Sequence, residues 1–299
     1  MRVFVTGASG FVGSAIVQEL LQNGHEVLGL VRSDQAAGQL TAAGAASYRG
    51  DVNDPVALRH GASTCDAVIH TAFNHDFSQY KANCEADRQV IETLGEALSG
   101  SDKPLIITSG IGLLHYEHLL TEDDPLSAGS DVIPRAASEE AAQAVAAKAV
   151  DVYTVRLPAS VHDKGDHGFV PLVIGLAREK GESAYIAEGN NQWPAVHRSD
   201  AAVLYRLILE KRPALKVFHA VAEQGIPFRK IAEKIGEELG LPVVSKTGDH
   251  AAAHFDWFVH FAGLDCAASS KKTREALGWE TKATDLLTDI ATAGYLLIK

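Results

Sequence analysis

The amino-acid sequence predicts an α/β protein with a doubly wound parallel sheet and a smaller, helix-rich C-terminal region. Short apolar segments of strand length alternate with longer segments of helical periodicity. Each helix must cross over the sheet before the next parallel strand can begin, so this alternation is typical of a sheet covered on both faces. A glycine-rich turn between the first strand and the first helix is the second observation that favours this fold.

Six predicted strands follow one another, each a short run dominated by apolar residues. They span residues 2–6, 26–31, 66–70, 104–108, 152–156 and 216–219. The first helix is predicted just after the first strand, because Val12, Ile16 and Leu20 fall on one helical face. Gly24 stands where a glycine commonly ends a helix. Further helices are expected between the later strands.

The domain organisation follows from where this alternation stops. Residues 1–159 are predicted to form the sheet domain, which resumes at about 195–220. Residues 160–194 and 221–299 read as helix-rich, with glycine and proline residues at the expected turns. We expect this second region to pack against the carboxyl edge of the sheet, where open α/β sheets bind their ligands.

Composition excludes several classes of protein. The 299 residues are 46% hydrophobic and 22% charged, which is ordinary globular usage and supplies a real core. The 27 Lys and Arg residues against 38 Asp and Glu residues give a formal charge of −11. This acidic balance argues against nucleic-acid binding, which depends on basic side chains that neutralise phosphates.

Cysteine usage and hydropathy predict a cytoplasmic protein. The three cysteines, Cys65, Cys84 and Cys266, are odd in number and form no CxxC pair, which favours reduced thiols. No signal-peptide pattern is seen at the start of the sequence. No run approaches the roughly 20 apolar residues of a membrane span, so no membrane association is predicted.

The glycine-rich turn carries the first functional inference. Residues 6–13 read TGASGFVG, which places Gly7, Gly10 and Gly13 three apart between a strand and a helix. Glycine allows such a loop to turn sharply and its backbone to approach a pyrophosphate, which the free N–H groups at the helix N-terminus attract. A tight turn without a ligand is the alternative. The predicted site also includes the other loop positions Ser9, Phe11 and Val12.

This TGxxGxxG pattern resembles the short-chain dehydrogenase/reductase superfamily, specifically its atypical or extended branch, the NAD-dependent epimerase/dehydratase family. The resemblance implies a Rossmann-type sheet with a bound nicotinamide coenzyme. Further segments match in order, including residues 196–202 and the LGW of 277–279. By this resemblance the coenzyme contacts are Asp51 and Val52 at the adenine, Thr71, Ala72 and Phe73 at the adenosine, Thr108 at the end of the family's fifth strand, predicted here at 104–108, and Pro158, Ala159 and Ser160 at the nicotinamide.

The residue after the second strand favours NADP(H) over NAD(H). NAD-binding folds usually place an acidic residue about 20 positions after the glycine loop, where it binds the ribose 2′-hydroxyl. This chain has Arg32 there, 19 residues after Gly13, followed by Ser33. A guanidinium can hold a 2′-phosphate with two charge-assisted hydrogen bonds. The alternative is that Arg32 is solvated and that Asp34 turns inward.

The catalytic pair of the resembling family is missing. The resemblance implies a Tyr that moves the substrate proton and, four residues later, a Lys that lowers the Tyr pKa, both on one face of the helix after the strand predicted at 104–108. Arg135 and Glu139 stand at these positions. A YxxxK does occur at 295–299, but it lies at the end of the sequence and is interpreted as accidental. Ordinary alcohol dehydrogenase or epimerase chemistry is therefore in doubt.

Other residues are predicted to serve the reaction. Ser109, where the resembling family keeps its active-site Ser or Thr, would orient a substrate oxygen. Arg135 never loses its proton, so it would bind a carboxylate or stabilise an oxyanion. His162 is a candidate proton donor, since imidazole titrates near pH 6.5. The alternative donors are His115, Tyr116, Lys164 and His167.

The sequence thus predicts an NADP(H)-dependent oxidoreductase that acts on a small carbonyl-like substrate without the usual Tyr and Lys. The alternative is an NAD(P)-binding sensor or regulatory protein without turnover, and a third option is an isomerase or dehydratase. No functional metal is predicted, because the pair His250 and His254 lacks the Glu of HExxH and a third ligand. The aromatic residues of 255–261 would line a hydrophobic pocket, form a subunit contact or belong to the core.

The resemblance also implies a homodimer. In that family the helix at about 83–98 and the helix that contains the alanine-rich residues 136–149 pair two subunits. Packing of the two helices within one chain explains the same small residues equally well.

Overall fold

The computed structural model describes residues 1–295 and has a seven-stranded parallel sheet at its centre. The strands are β1 (Arg2–Thr6), β2 (Glu26–Val31), β3 (Ala46–Arg49), β4 (Ala67–His70), β5 (Leu105–Gly110), β6 (Val152–Leu157), β7 (Ser160–His162), β8 (Ser183–Ile186), β9 (Gln192–His197), β10 (Val217–His219), β11 (Glu223–Pro227) and β12 (Val243–Lys246). The central sheet has the order β10-β6-β5-β4-β1-β2-β3, so the strand order reverses between β1 and β4, as in a doubly wound fold. The predicted fold class is therefore confirmed.

Helices cover both faces of this sheet. The α-helices are α1 (Phe11–Gln22), α2 (Asp34–Ala42), α3 (Pro55–Ser63), α4 (Tyr80–Leu98), α5 (Ala137–Ala146), α6 (Phe169–Lys180), α7 (Arg198–Lys211), α8 (Phe228–Leu239), α9 (Gly248–Phe255), α10 (Val259–Ala262), α11 (Lys271–Leu277) and α12 (Leu286–Thr292). Short 3₁₀ helices lie at Phe77–Gln79, Ile111–Leu113, Pro134–Ala136 and Asp256–Phe258.

Strand periodicity divides the core of the sheet domain into two layers. Val3 and Val5 of β1 lie in the layer that contains α1 and α7, whereas Phe4 between them lies in the layer of α3, α4 and α5. Successive strand residues point to opposite faces, so a strand buried on both faces must be apolar throughout. All three side chains are fully buried. This double burial explains why the predicted strands read as continuous apolar runs.

The C-terminal region contains short strands in addition to its helices. Strands β7, β9 and β11 form a three-stranded sheet, and β8 pairs in parallel with β12. The core of this region includes Trp193, Phe228, Phe255 and Phe258, and α6, α8 and α12 complete it. Most of the aromatic segment 255–261 therefore serves the core. The central sheet itself resumes with β10, since β9 belongs to the smaller sheet.

The start of α5 differs in detail from the prediction. Arg135 lies in the 3₁₀ turn Pro134–Ala136, whereas Glu139 lies in the first turn of α5. Proline lacks an N–H group and suits the first position of a helical turn, which explains why a tight turn forms here. Arg135 and Glu139 enter two different charged clusters, described below.

Two further features are the hydropathy of the helices and the state of the cysteines. None of the helices within the described residues 1–295 is both long enough and apolar enough to cross a membrane. All three cysteines are buried free thiols.

Candidate coenzyme and active site

The loop between β1 and α1 requires glycine for steric reasons. Gly7 has a φ of +70°, in the left-handed region, and a Cβ there would lie 2.7 Å from the Ala72 nitrogen. A Cβ on Gly13 would collide with the Gly7 carbonyl oxygen. The Gly10 N–H donates to that same oxygen over 2.8 Å and closes the turn. The backbone is therefore folded too tightly for side chains at Gly7 and Gly13.

The N-terminus of α1 is uncapped and fits a diphosphate. Gly10 is its N-cap and offers no side-chain acceptor. The first-turn N–H groups of Phe11, Val12 and Gly13 find no hydrogen-bond partner within residues 1–295. Free N–H groups and the partial positive charge of the helix end together attract an anion. Ser9 and Gly10 are exposed, so the loop is open to a ligand.

The end of β2 presents Arg32 to solvent. Its side chain makes no hydrogen bond or ion pair with any residue of the described chain. The Ser33 hydroxyl caps α2, and the Asp34 carboxylate is paired with Arg49 at 3.4 Å. Asp34 does not turn inward in this structure, and Arg32 is solvent-exposed, which suits either a solvated side chain or one that binds a ligand.

The segment after β4 forms a wall beside the glycine loop. The Thr71 hydroxyl donates to the Thr6 carbonyl oxygen over 2.9 Å, and the backbone of Ala72 abuts Gly7. This contact places the predicted adenosine segment against the predicted diphosphate loop, at the carboxyl ends of β1 and β4.

The predicted adenine pair follows β3. Asp51 accepts hydrogen bonds from the backbone N–H and the side-chain amide of Asn53, at 2.8 and 2.9 Å. Val52 is half-buried against the core layer of α3 and α4. Both residues thus lie at the same edge of the sheet as the end of β2.

The predicted nicotinamide segment lies between β6 and β7. Pro158 is buried, and Ala159 packs against the core of the C-terminal region. Ser160 is 3% exposed, and its hydroxyl lacks a hydrogen-bond partner among the described residues. An unpaired buried hydroxyl costs free energy, which a ligand or a bound water would recover.

Arg135 belongs to a buried cluster around Asp87. The Asp87 carboxylate accepts from the Arg135 guanidinium at 2.7 Å and from the Ser138 hydroxyl at 2.5 Å. It also lies 2.9 Å from His70 Nε2, whose other ring nitrogen is 2.6 Å from the Thr6 hydroxyl. Burial alone would raise the pKa of Asp87, but Arg135 and His70 hold it far below its usual value. Asp87 is thus a carboxylate that balances the Arg135 charge.

The Arg135 guanidinium also reaches the carboxyl end of β5. One of its terminal nitrogens donates to the Thr108 carbonyl oxygen over 3.1 Å, and its central carbon lies 4.0 Å from the centre of the Phe73 ring. The structure therefore brings together Arg135, Thr108 and Phe73. Asp87 compensates part of the Arg135 charge, and the predicted roles of Arg135, binding a carboxylate or stabilising an oxyanion, stay predictions.

Ser109 and Glu139 form the second charged cluster. The Ser109 hydroxyl donates to Glu139 Oε1 over 2.7 Å, and Arg156 donates to both Glu139 oxygens at 2.8 Å. All three side chains are buried. The family positions of Tyr and Lys are thus occupied by residues of two separate ion pairs. Because the Ser109 proton is committed to Glu139, the Ser109 oxygen is left to orient or to accept.

His162 is buried away from these clusters. It is fully inaccessible to solvent, its Nδ1 lies 2.7 Å from the Asp289 carboxylate, and its Nε2 has no hydrogen-bond partner among the described residues. Desolvation lowers the pKa of His162, although the hydrogen bond to Asp289 opposes this. It shares no hydrogen bond with Ser109 or Arg135. The role of His162 as a proton donor stays a prediction.

The alternative proton donors after β5, His115 and Tyr116, contact backbone carbonyl oxygens near them in the sequence. The His115 ring lies 3.2 Å from the Gly112 carbonyl oxygen, and the Tyr116 hydroxyl donates to the Pro125 carbonyl oxygen over 3.2 Å. Neither side chain is hydrogen-bonded to Arg135 or Ser109 in the described chain. Both are therefore held within their own loop.

The loop after β7 brings one of its two alternative donors to the coenzyme site. Lys164 is exposed, whereas the His167 ring centre lies 5.8 Å from that of Phe11, edge to face. The YxxxK interpretation falls on residues 295–299, of which 296–299 lie outside the described residues.

Sequence reasoning included the start of the loop between β4 and α4 but missed its later part, residues 74–79. His75 is exposed there, and its ring centre lies 5.2 Å from that of Phe73, the ring on which Arg135 stacks. Phe77 stacks on Trp257 with ring centres 5.1 Å apart and meets Phe261 edge to face. The local signal was available, since FNHDF follows the strand predicted at 66–70 within a few residues.

The described chain offers no evident metal centre. No group of three or more His, Cys, Asp or Glu side chains within residues 1–295 is placed to hold a metal ion. His254 instead lies beside the Glu182 carboxylate, at 3.6 Å.

The fold and the uncapped glycine loop define a dinucleotide-binding protein of the Rossmann type. The chain matches the family model described as NAD(P)H-binding over residues 7–186, more than half of its length, and it belongs to this family. The predicted resemblance to the extended short-chain dehydrogenase/reductases is thereby confirmed, and with it the prediction of an NAD(P)-dependent enzyme.

Relatives extend over most of the chain. An uncharacterized protein of Schizosaccharomyces pombe is 47% identical over 296 residues, which cover 99% of this chain and 100% of the relative. The 2-alkyl-3-oxoalkanoate reductase of Stenotrophomonas maltophilia is 28% identical, with 82% and 78% covered. The dTDP-glucose 4,6-dehydratase structure from Streptomyces venezuelae with bound NAD has a TM-score of 0.78 at 20% identity, with 98% and 95% covered, and shows the same fold.

Proposed function

We propose that this protein is an NADP(H)-dependent oxidoreductase that reduces a small carbonyl-like substrate without the usual Tyr and Lys pair. The observation that carries the proposal is the open, uncapped start of α1 behind a loop that admits only glycine at Gly7 and Gly13. A diphosphate supplies the acceptors that the N–H groups of α1 lack. Membership of the NAD(P)H-binding family supports the same conclusion.

Arg32 supports the choice of NADP(H). Its guanidinium is exposed and unengaged within the described chain, at the edge of the sheet where the ribose of the adenosine binds in this fold. Two charge-assisted hydrogen bonds to a 2′-phosphate contribute roughly 1.5–3 kcal/mol, or about ten- to a hundredfold in affinity.

The proposed coenzyme contacts form one continuous edge. They are Gly7, Ser9, Gly10, Phe11, Val12 and Gly13 at the diphosphate, Arg32 and Ser33 at the 2′-phosphate, Asp51 and Val52 at the adenine, and Thr71, Ala72, Phe73, Thr108, Pro158, Ala159 and Ser160 along the ribose and nicotinamide. The reduced nicotinamide supplies a hydride when it is bound.

The chain's own groups polarise and hold the substrate carbonyl in this proposal. Arg135 is fixed at the end of β5 by Asp87 and the Thr108 carbonyl oxygen, and it has further N–H donors that no described residue uses. These donors would stabilise the negative charge that develops on the carbonyl oxygen. Ser109, fixed by Glu139, would orient the same oxygen.

The substrate is proposed to have an apolar body. Phe77, from the loop after β4, stacks on Trp257 of the C-terminal region, and Trp257 is 47% exposed although it is a large aromatic residue. An exposed ring beside a binding cleft favours an apolar ligand. One named relative is a 2-alkyl-3-oxoalkanoate reductase, so a 3-oxo acid belongs among the substrates tested.

Two further expectations also stay proposals. The cytoplasm is the proposed compartment, which the buried free thiols suit. A homodimer through α4 and α5 is proposed from the resemblance, although these two helices also pack within the chain, where Gly95 fits against Val145. Analytical ultracentrifugation distinguishes the monomer from the dimer.

The coenzyme proposal is tested by NADPH and NADH fluorescence titrations of the wild type and Arg32→Ala. We expect the wild type to bind NADPH about ten- to a hundredfold more tightly than NADH, and Arg32→Ala to lose this preference. Arg59→Ala is the matched control, since Arg59 is a half-exposed arginine on α3. Equal affinities of the wild type for both coenzymes would contradict the choice of NADP(H).

Turnover is tested with a panel of ketones, aldehydes, enones and 3-oxo acids, followed by NADPH absorbance. We expect reduction of an apolar carbonyl compound. Tight coenzyme binding without turnover on any compound would instead favour the sensor.

A further inference from the structure

We infer that His75 is the catalytic acid of the proposed reductase and gives its proton to the substrate carbonyl oxygen. This inference rests on the proposed function. It fills the role left vacant at the family position of Tyr, which Arg135 occupies.

The loop after β4 places His75 at the cleft. This loop contains Phe73, whose ring contacts both the His75 imidazole, with ring centres 5.2 Å apart, and the Arg135 guanidinium, at 4.0 Å. Phe77 of the same loop stacks on Trp257 of the C-terminal region, with ring centres 5.1 Å apart. His75 thus stands at the meeting point of the β4 loop, the turn before α5 and the C-terminal region.

The loop after β7 carries His167, which packs against Phe11 of the glycine loop with ring centres 5.8 Å apart. The positive charge of His167 lowers the pKa of His75. The same holds for Arg135. Arg135, the proposed oxyanion donor, and His75 thus contact the same Phe73 ring.

Ser109, Arg135 and His70 are unsuited to proton donation. The Ser109 hydroxyl already donates its proton in a hydrogen bond to Glu139. A guanidinium such as that of Arg135 does not lose its proton. His70 is 1% exposed and is held between Thr6 and Asp87. His75, in contrast, is exposed, so solvent can restore its proton after each turnover.

The step balances with the coenzyme as reductant. A hydride with its electron pair forms a new C–H bond at the carbonyl carbon, and the carbon–oxygen double bond becomes a single bond. The proton of His75 forms the O–H bond. The products are the alcohol, the oxidised coenzyme and a neutral imidazole.

The groups around His75 set its pH dependence. Desolvation lowers its pKa from the usual 6.5, and the positive charges of Arg135 and His167 act in the same direction. The imidazole is the required acid only when protonated, so kcat/KM for reduction should fall as pH rises through this lowered pKa.

The kinetic test compares the wild type with His75→Gln. We expect His75→Gln to lower kcat/KM at least about a hundredfold and to abolish this fall with rising pH, with NADPH affinity unchanged. His250→Gln is the control, since His250 is exposed on α9 and its side chain makes no hydrogen bond in the described chain. Wild-type kinetics and pH profile in His75→Gln would overturn the inference and leave the proposed function standing.

A second readout is independent of turnover. In the protein with ¹⁵N-labelled histidine, the His75 resonances are assigned by their absence in His75→Gln. We expect a His75 pKa below 6.5 and a change in these resonances at saturating NADPH, with those of His250 unchanged. A His75 resonance indifferent to bound NADPH would overturn the inference, whereas failure of the wild type to bind NADPH would refute the proposed function instead.

Discussion

Glu139 stands at the position of the family's catalytic Lys but forms a buried ion pair instead. Its carboxylate accepts from Arg156 at two points and from Ser109 at a third, and all of these groups are buried. Breaking a buried ion pair leaves the remaining charge without compensation, which costs far more than loss of a surface pair. Glu139 therefore holds the end of β6 to α5 and fixes the Ser109 hydroxyl.

Substitution of Glu139 by Gln should accordingly destabilise the fold. We expect Glu139→Gln to lower the free energy of unfolding by roughly 3 kcal/mol, measured by urea denaturation. Glu96→Gln is the control, because Glu96 pairs with Arg59 on the surface at 3.5 Å and its loss should cost less than about 1 kcal/mol. Equal losses in the two variants would contradict a buried ion-pair role.

The sequence predicted which residues replace the Tyr and Lys but not what they do. The helical spacing of Arg135 and Glu139 was readable, whereas Asp87 lies 48 residues before Arg135. Arg156 lies 17 residues after Glu139, on a strand. Only the packing of α4, α5 and β6 brings these charges together, so no local sequence pattern could predict these two ion pairs. The same reason explains why the burial of His162 beside Asp289 could not be predicted.

Helix α1 shows how one element joins steric and electrostatic requirements. The backbone of Gly13 lies against the Gly7 carbonyl oxygen, and neither backbone can yield without displacing the loop. The unpaired N–H groups at the start of α1 lie directly behind this close approach. Anion binding at the start of α1 therefore depends on the shape of the glycine loop.

Two glycine-to-alanine substitutions test whether NADPH binding depends on the loop shape. Gly13→Ala should displace the loop and weaken NADPH binding at least about tenfold, since a shift of the loop breaks several N–H contacts at once. Gly175→Ala on α6 is the matched control, because nothing lies within 4 Å of its Cβ position, and it should stabilise the fold by up to about 1 kcal/mol. Titration and thermal unfolding measure the two effects. Unchanged NADPH affinity in Gly13→Ala would refute the role of the loop.

Element prediction succeeded where a strand is buried on both faces and failed where it is short and half-polar. Strands β1 and β2 were predicted with the bounds that the structure shows. Strand β8 pairs with β12, where Ser183 is the partner of Val243, and neither four-residue segment has a distinctive period. These two segments are about 60 residues apart in the sequence and pair only in the folded chain, so local periodicity cannot predict their pairing.

At the scale of the whole molecule, His219 couples the central sheet to the C-terminal segment. It ends β10, is fully buried, and its Nδ1 lies 2.9 Å from the Ser269 carbonyl oxygen. Burial lowers its pKa to about 4; the nearby Arg156 charge acts in the same direction and the Glu122 charge opposes it. The neutral ring is thus part of the folded structure.

This burial predicts a loss of stability in acid. Between about pH 6.5 and pH 4 the unfolded chain binds a proton at His219 and the folded chain does not, so the free energy of unfolding falls as pH falls, by up to about 3 kcal/mol. Urea denaturation at about pH 7 and about pH 4.5 measures the loss. His219→Gln should lose less stability than the wild type over this interval. An equal loss in both proteins would contradict the assignment.

The central claim is that the glycine loop and the start of α1 bind the diphosphate of a nicotinamide coenzyme. Its most direct test is a crystal structure of the protein with saturating NADPH. We expect the diphosphate within hydrogen-bond distance of the N–H groups of Phe11, Val12 and Gly13, and the 2′-phosphate within reach of Arg32. A crevice that stays empty at saturating NADPH would contradict the account.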